Sequence, residues 1–291
     1  MKTNIKGNVS TFLFLCYNWH GVVMERLKEI ERSIIKKYRK EIFSKFVKAV
    51  KEYELIKEND KIAVCISGGK DSFILAKCMQ ELLKHGKFHY ELKFIVMNPG
   101  YTEEVLNQIK ENLELLNIDA EIFEANIFEY VNTTSNPCYL CAKMRRGYLY
   151  DYAKKLGCNK IALGHHFDDV IETTMLNLTF NGTYSTMMPK LKSDNFEGME
   201  LIRPLYMIKE EDIISWAKYN ELKFIDCACL VTKKSSGKRL VIKDLIKEMK
   251  KIYPDADKSI FTSSKNVNLN TVIKCKYKDK EYSFLDEYSD N

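Results

Sequence analysis

Nowhere in the 291 residues is there a run approaching the roughly 18 consecutive apolar residues that a membrane-spanning helix requires, so a membrane-embedded protein is not expected. An export signal is not expected either. The apolar stretch within residues 1–23, around "STFLFLC", is short and runs into Asn18 and His20 with no small-residue cleavage site behind it. These residues are read as an extension ahead of a fold that begins near Met24. Charge of one sign is not in large excess: 46 basic residues against 40 acidic leave +6. That balance points only weakly to an anionic partner, because many basic proteins merely carry solvated lysine faces. No disulfide framework is suggested either. The nine cysteines are scattered through a chain without export features, which is expected of a reducing cytoplasm, where close cysteines mean metal or redox chemistry before disulfides.

What is present is a globular composition, 45% apolar and 30% charged, long enough for one substantial core with appended helices. Residues 24–58 carry apolar positions at helical spacing among many charges, as in "FSKFVKAVKEYELI", and predict one or two surface helices. Over residues 59–206 short apolar runs alternate with longer amphipathic ones. "KIAVCIS", "ELKFIVMNPGY", "DAEIFEA" and "NKIALG" predict strands; "DSFILAKCMQELLKHG", "TEEVLNQIKENLELLN", "AKMRRGYLYDYAKKLG" and "DDVIETTMLNLTF" predict helices. The alternation predicts an α/β domain with a mostly parallel, doubly wound sheet and crossover helices on both faces. Such sheets bind ligands beyond the carboxyl ends of their strands. Ser67, Asn98 and residues 164–166 (Gly164, His165, His166) all fall at such ends, so they are expected to converge on one crevice. Residues 207–270 form a C-terminal, mainly helical part that holds Cys227 and Cys229, and residues 271–291 are expected to be a frayed tail.

"CISGGKDSFILAKC" sits where the first of these strands gives way to a helix. The backbone amides of a glycine-rich turn at a helix start point at one spot, and the helix dipole adds positive potential there, which suits phosphate. Ser67, Gly68, Gly69, Lys70 and Ser72 fit that task. The Walker pattern is excluded, because Val64 stands where its first glycine belongs and Asp71 follows the lysine. Downstream, "PCYLC" spaces Cys138 and Cys141 so that one turn can offer two thiolates to a metal. Such a pair can be a redox couple or half of a zinc site, and spacing alone ranks zinc first. With Cys227 and Cys229 the four would close a four-thiolate zinc site; three of them would hold an iron-sulfur cluster. Cys16, Cys65, Cys78, Cys158 and Cys275 read as small apolar residues.

Ser-Gly-Gly-x-Asp-Ser at residues 67–72 resembles the signature of the PP-loop ATP pyrophosphatases, which cleave ATP to AMP and pyrophosphate to activate a substrate oxygen. The resemblance implies a fold of the PP-loop ATPase type, a pyrophosphate portion held by the loop, Lys70 countering its charge and Asp71 helping to place Mg2+. A longer text, "CYLCAKMRRGYLYDYAKKLGCNKIALGHHFDDVIETTMLNL", then "MMPKLKSD", "IRPL" and a late cysteine followed by "KRLVIKDLIKEM", resembles the tRNA 2-thiocytidine synthetases from about Ile42 to Asn268. That resemblance implies a [4Fe-4S] cluster on Cys138, Cys141 and a distant cysteine, and thiolation of cytidine 32 in a tRNA anticodon loop. Cys229 is favoured as third ligand, with Cys227 as the alternative. The family commonly writes this distal site as Cys-x-x-Cys-Gly-Ser, whereas this chain reads "CACLVTKKSSGKR". That departure bears on the substrate, since the rewritten loop should border the site.

By the same resemblance His165 lies near the nucleotide, and Asp168 and Asp169 assist substrate or Mg2+; the plainer reading makes one aspartate a helix cap. Arg145 and Arg146, beside the cysteine pair, would grip RNA or ATP phosphate, or else line a solvated helix face. Lys190, Lys192, Lys233, Lys234, Lys238, Arg239 and Lys243 are candidates for RNA backbone contacts. The implied partners are tRNA, a sulfur donor such as a cysteine desulfurase or free sulfide, and a second copy of the chain. Lysidine synthetases share the loop but need no cysteine pair, and tRNA 2-thiouridine synthetases usually carry zinc-finger pairs at both ends, which are lacking here. A nucleotide-sensing or iron-sulfur module without catalysis is the rival from another class.

Overall fold

The computed structural model describes residues 24–86, 89–128, 137–225 and 237–288. Its frame is a six-stranded sheet in the order β3-β2-β1-β4-β6-β5. The strands are β1 (Lys61–Ile66), β2 (Glu91–Asn98), β3 (Ala120–Glu124), β4 (Lys160–Ala162), β5 (Lys190–Lys192) and β6 (Glu200–Ile202). Every neighbouring pair is parallel except β5 with β6.

In β1 every residue but the first is buried, as a strand covered on both faces requires. Its alternate residues serve different cores. Ile62, Val64 and Ile66 join Phe73, Ile74 and Trp216 on one side, and Ala63 and Cys65 join Tyr150, Ala153 and Cys158 on the other. Helix α3 (Lys70–His85) covers the first face and α5 (Pro137–Lys155) the second. Between them in sequence lies α4 (Glu103–Leu115), whose Thr102 accepts the Val105 N–H as an N-cap. Strand order reverses at β1 and β4, so the carboxyl ends of these two strands form the switch point where such sheets take ligands.

The N-terminal segment departs from the expected surface helices. α1 (residues 24–32), two π-helical turns (Ser33–Lys37 and Arg39–Phe43) and α2 (Ser44–Glu52) bury Ile30, Ile34, Ile42 and Phe46 completely in the first core. Their charged positions face outward while the apolar stripe is inserted beside α7 (Glu210–Tyr219), where the Trp216 indole donates to Ser33 Oγ at 3.1 Å.

Contacts divide the chain into two units, Met1–Val170 with Met188–Gly237, and Ile171–Met187 with Lys238–Asn291. The second contains most of α6 (Phe167–Phe180), then α8 (Gly237–Ile252), α9 (Ala256–Ser263), the antiparallel pair β7 (Lys274–Tyr277) and β8 (Lys280–Ser283), and a last turn α10 (Leu285–Tyr288). A hairpin therefore occupies much of the span expected to be a frayed tail. Its two-residue turn, Lys278 and Asp279, takes positive φ at both positions (49° and 63°), the primed geometry that matches strand twist. Among the described residues no helix is long and apolar enough to cross a membrane.

Candidate active site

At the end of β1 the chain must turn sharply to enter α3. Gly68 makes this possible with φ +90°, and a Cβ there would stand 2.7 Å from Ile225 Cδ1 and 3.1 Å from Ile109 Cδ1. The hydroxyl of Ser72 braces the turn from inside, accepting from the Ser67 N–H at 3.1 Å and donating to the Gly69 carbonyl at 2.8 Å. Gly69, extended at φ −82° and ψ 159°, is the N-cap of α3 and has no side chain to satisfy the first-turn amides. Those amides and the helix dipole are left to an anion. The Tyr101 hydroxyl donates to the Ser67 carbonyl at 3.4 Å, tying the turn after β2 to this loop.

Lys70 and Asp71 open the helix. Lys70 Nζ lies 3.2 Å from Asp71 Oδ2 and 3.0 Å from Glu210 Oε1, the first residue of α7. Burial pulls the ammonium down, yet the two carboxylates more than offset it and its pKa lies above the ordinary lysine value. Burial pushes the Asp71 carboxyl above the usual carboxylate range, with His166 and Lys70 pulling it partly back. Asp71 Oδ1 is buried and has no hydrogen-bond partner among the described residues. A buried acceptor in that condition beside an anion-binding turn suits a ligand or its counter-ion.

The loop after β4 completes the crevice. Gly164 permits a close approach: a Cβ there would meet the Asp71 carbonyl carbon and oxygen at 3.0 Å and the Ser72 nitrogen at 3.1 Å. Backbone cannot yield as a side chain does, so Gly164→Ala is expected to push α3 away from β4. It should weaken anion binding at the turn and cost about 1–3 kcal/mol of stability, checked by pyrophosphate titration and thermal melting. Gly164 thus supports the loop by making room for it. His166, buried at 6% exposure, faces three carboxylates: Asp71 at 3.8 Å, Asp168 at 3.7 Å and Asp169 at 3.5 Å. Both aspartates also serve as caps. Asp169 accepts the His166 N–H at 3.0 Å at the start of α6, and Asp168 accepts the Glu210 N–H at 2.7 Å at the start of α7. His165 is half-buried beside them.

Asn98, at the end of β2, holds its own turn together. Its side-chain oxygen accepts from the N–H groups of Gly100 and Tyr101 at 3.1 and 2.7 Å, and its amide donates to Glu124 at 3.0 Å. Helix α5 begins at Pro137, a residue suited to a first helical position, so Cys138 and Cys141 lie one turn apart on the same helix. Cys141 is buried among Met97, Ala125 and Ile127, which places it at the carboxyl ends of β2 and β3. A Cys-x-x-Cys spacing on one helical turn, with the Cys141 thiol shielded from water by apolar neighbours, fits an iron-sulfur cluster or zinc; the Cys138 side chain lies outside the described ones. Cys227 and Cys229 lie outside the described residues, as do Cys16, Lys233 and Lys234. The chain reaches them from Ile225, whose N–H donates to the Gly68 carbonyl at 3.2 Å. One turn beyond Cys141 the guanidinium of Arg145 lies 5.6 Å from the Phe128 ring centre, its Nε buried, while Arg146 is exposed.

Elsewhere the other cysteines fill apolar space. Cys65, Cys78 and Cys158 are buried, and burial pushes all three thiols up, away from reactivity. Cys275 is half-buried in the hairpin. Of the basic candidates, Arg239 pairs with the buried Glu172 at 2.6 Å while half its side chain stays exposed. Among the described residues no group of three or more His, Cys, Asp or Glu side chains is arranged to hold a metal ion.

Ser67 to Ser72, Gly164, His166, Asp168 and Asp169 therefore meet at one place on the sheet, and Cys141 lies on the same carboxyl edge. Sequence reasoning placed His166 at this crevice but gave the nucleotide-side role to His165, and it passed over Glu210. Adjacent histidines in a turn have no periodicity that tells which one faces inward, and an acid at a helix start reads as an ordinary complement to the dipole. It also passed over Arg203 in "IRPL", buried at the end of β6, where burial pulls its guanidinium down to about 10.

The PP-loop domain family matches residues 38–229. A protein named tRNA-cytidine(32) 2-sulfurtransferase from Shewanella denitrificans is 35% identical over 254 residues, 85% of this chain and 77% of its own. One of the same name from Geobacter metallireducens is 36% identical over 236 residues, 80% of this chain and 91% of its own. The solved structure of the U34-tRNA thiolase NcsA from Methanococcus maripaludis, with its [4Fe-4S] cluster, superposes with a TM-score of 0.61 at 26% identity, covering 80% of each chain.

Proposed function

The chain belongs to the PP-loop family and, within it, to the tRNA-cytidine(32) 2-sulfurtransferases, and from that premise we propose that it replaces the C2 oxygen of a tRNA cytidine with sulfur, using ATP. The observation that carries this reading is the sharing of one sheet edge by two chemistries. An anion-binding turn follows β1, and the buried Cys141 of a Cys-x-x-Cys helix packs at the ends of β2 and β3.

The C2 carbonyl of cytosine is amide-like, and its oxygen leaves poorly. Attack of that oxygen on the α-phosphorus of ATP expels pyrophosphate and makes the oxygen part of AMP, a good leaving group. A sulfur nucleophile then adds at C2 and AMP departs with the oxygen. In this scheme the first-turn amides of α3 and Lys70 hold the pyrophosphate portion and neutralise charge as it develops there. Asp71, whose buried Oδ1 accepts no hydrogen bond among the described residues, would help to place Mg2+ beside the phosphates. Asp168 and Asp169 fix the starts of α7 and α6 around His166 and so keep the crevice in shape. His165 and Asn98 line the nucleotide side, and Arg145 grips phosphate of RNA or ATP. The target base must leave its stack to enter.

Cys138, Cys141 and Cys229, with Cys227 as the alternative third, are the residues that would hold a [4Fe-4S] cluster. Such a cluster with one iron not bound by protein supplies a soft site able to carry sulfide. The sulfur comes from a cysteine desulfurase or from free sulfide, the setting is the cytoplasm, and the working form is a homodimer. Protein purified without oxygen is expected to hold about four irons and four sulfides per chain and to release AMP from ATP only when tRNA is added. One zinc without iron, or AMP release indifferent to tRNA, would overturn the reading.

A further inference from the structure

Lys70 is the cation of the phosphate turn, and in the structure it is already held by a carboxylate from another element. Its Nζ stands 3.0 Å from Glu210 Oε1, with both side chains about a quarter exposed, at 24% and 22%. Glu210 opens α7, and its backbone N–H is fixed to Asp168 Oδ2 at 2.7 Å, so the main chain is tethered and only the side chain has room to leave. A cavity of about 450 Å3 adjoins the pair, lined by Gly69, Lys70, Asp71 and Glu210 and also by Lys218.

We propose that Glu210 is a positioning residue that competes with the polyphosphate of ATP for Lys70, thereby setting the affinity of the turn for phosphate. The inference rests on reading residues 67–72 as the polyphosphate cradle. Two carboxylates, Asp71 and Glu210, share one ammonium. An arriving polyphosphate brings several further negative charges to the same ammonium. Like charges at such separations repel strongly in a partly desolvated site; both carboxylates line the cavity, and Glu210 is the one that comes from an element other than the helix of the phosphate turn. Binding therefore includes the cost of breaking the Lys70–Glu210 pair.

The test is calorimetric titration of the full, anaerobically prepared protein with inorganic pyrophosphate in EDTA, then with ATP and Mg2+. Glu210→Gln should bind pyrophosphate about two- to fivefold more tightly than the parent, as removal of a partly exposed competing carboxylate predicts. Glu210→Ala, which removes the charge in a second way, should move in the same direction. In a Lys70→Met background the Glu210→Gln gain should vanish, because the effect acts through that ammonium. Equal or weaker pyrophosphate binding by both Glu210 variants overturns the inference while parent binding leaves the cradle standing. Weaker Mg2+-ATP binding with pyrophosphate binding unchanged also overturns it, by making Glu210 a ligand of the ion. Failure of the parent protein to bind either anion removes the cradle and the inference together.

Discussion

Cys141→Ser is expected to strip the iron from the protein and to lower 2-thiocytidine formation by about 10³-fold or more, the scale of losing a group on which the chemistry depends, while leaving ATP affinity within about twofold. The substitution exchanges a soft ligand for a hard one of nearly the same size. Cys141 lies among Met97, Ala125 and Ile127, so a hydroxyl there costs about 1–3 kcal/mol for burying an unpaired polar group, which a chain of this size tolerates. Iron content, near-ultraviolet circular dichroism and nucleotide titration together separate loss of the ligand from loss of the fold. Full iron with full thiolation in the variant would remove Cys141 from the ligand set.

Lys70→Ala should do the reverse. The iron content should stay at the parent value, while affinity for ATP falls about 100-fold, as loss of one charge-assisted contact to phosphate predicts. The variant should also move the acid limb of the pH–rate profile. Burial raises the Asp71 carboxyl and Lys70 is one of the groups pulling it back, so without the ammonium Asp71 keeps its proton to a higher pH and the limb shifts upward. The stability sign follows from the same linkage. A carboxyl whose folded pKa is raised contributes stability below its unfolded pKa and loses it as pH rises through the folded one. Lys70→Ala should therefore lose more stability at neutral pH than in mild acid, by thermal melts across that window.

The parts of the fold that were legible in the sequence are those with a long, clean period. β1, with five of its six residues buried, and α3 could be read from "KIAVCIS" and the amphipathic run after it. β5 and β6 could not. Each has three residues, too few to show alternation, and Lys190 and Lys192 flank a single leucine. The N-terminal helices looked like surface elements because charges dominate their composition, although Ile30, Ile34 and Ile42 carry the burial. The β7–β8 hairpin escaped because its turn is Lys-Asp, where Asn-Gly or Asp-Gly is the usual signal.

The site divides along similar lines. The phosphate turn was legible because its glycines and hydroxyls are local, and Gly68 and Ser72 do there what their chemistry suggests. Long-range partners were not. Glu210 reaches Lys70 across 140 positions of sequence, and Gly164 matters for what lies against it, namely the Asp71 backbone. Nor does composition reveal that Asp168 and Asp169 each carry a helix-capping bond in the same crevice.

The most direct test of the central claim is mass spectrometry of nucleosides from tRNA incubated, without oxygen, with the iron-loaded protein, ATP, Mg2+ and sulfide. The expected product is 2-thiocytidine, formed only with ATP and mapped by nuclease fragments to position 32 of the anticodon loop. Sulfur found in a uridine, or an unthiolated tRNA after ATP has been consumed to AMP, would contradict it.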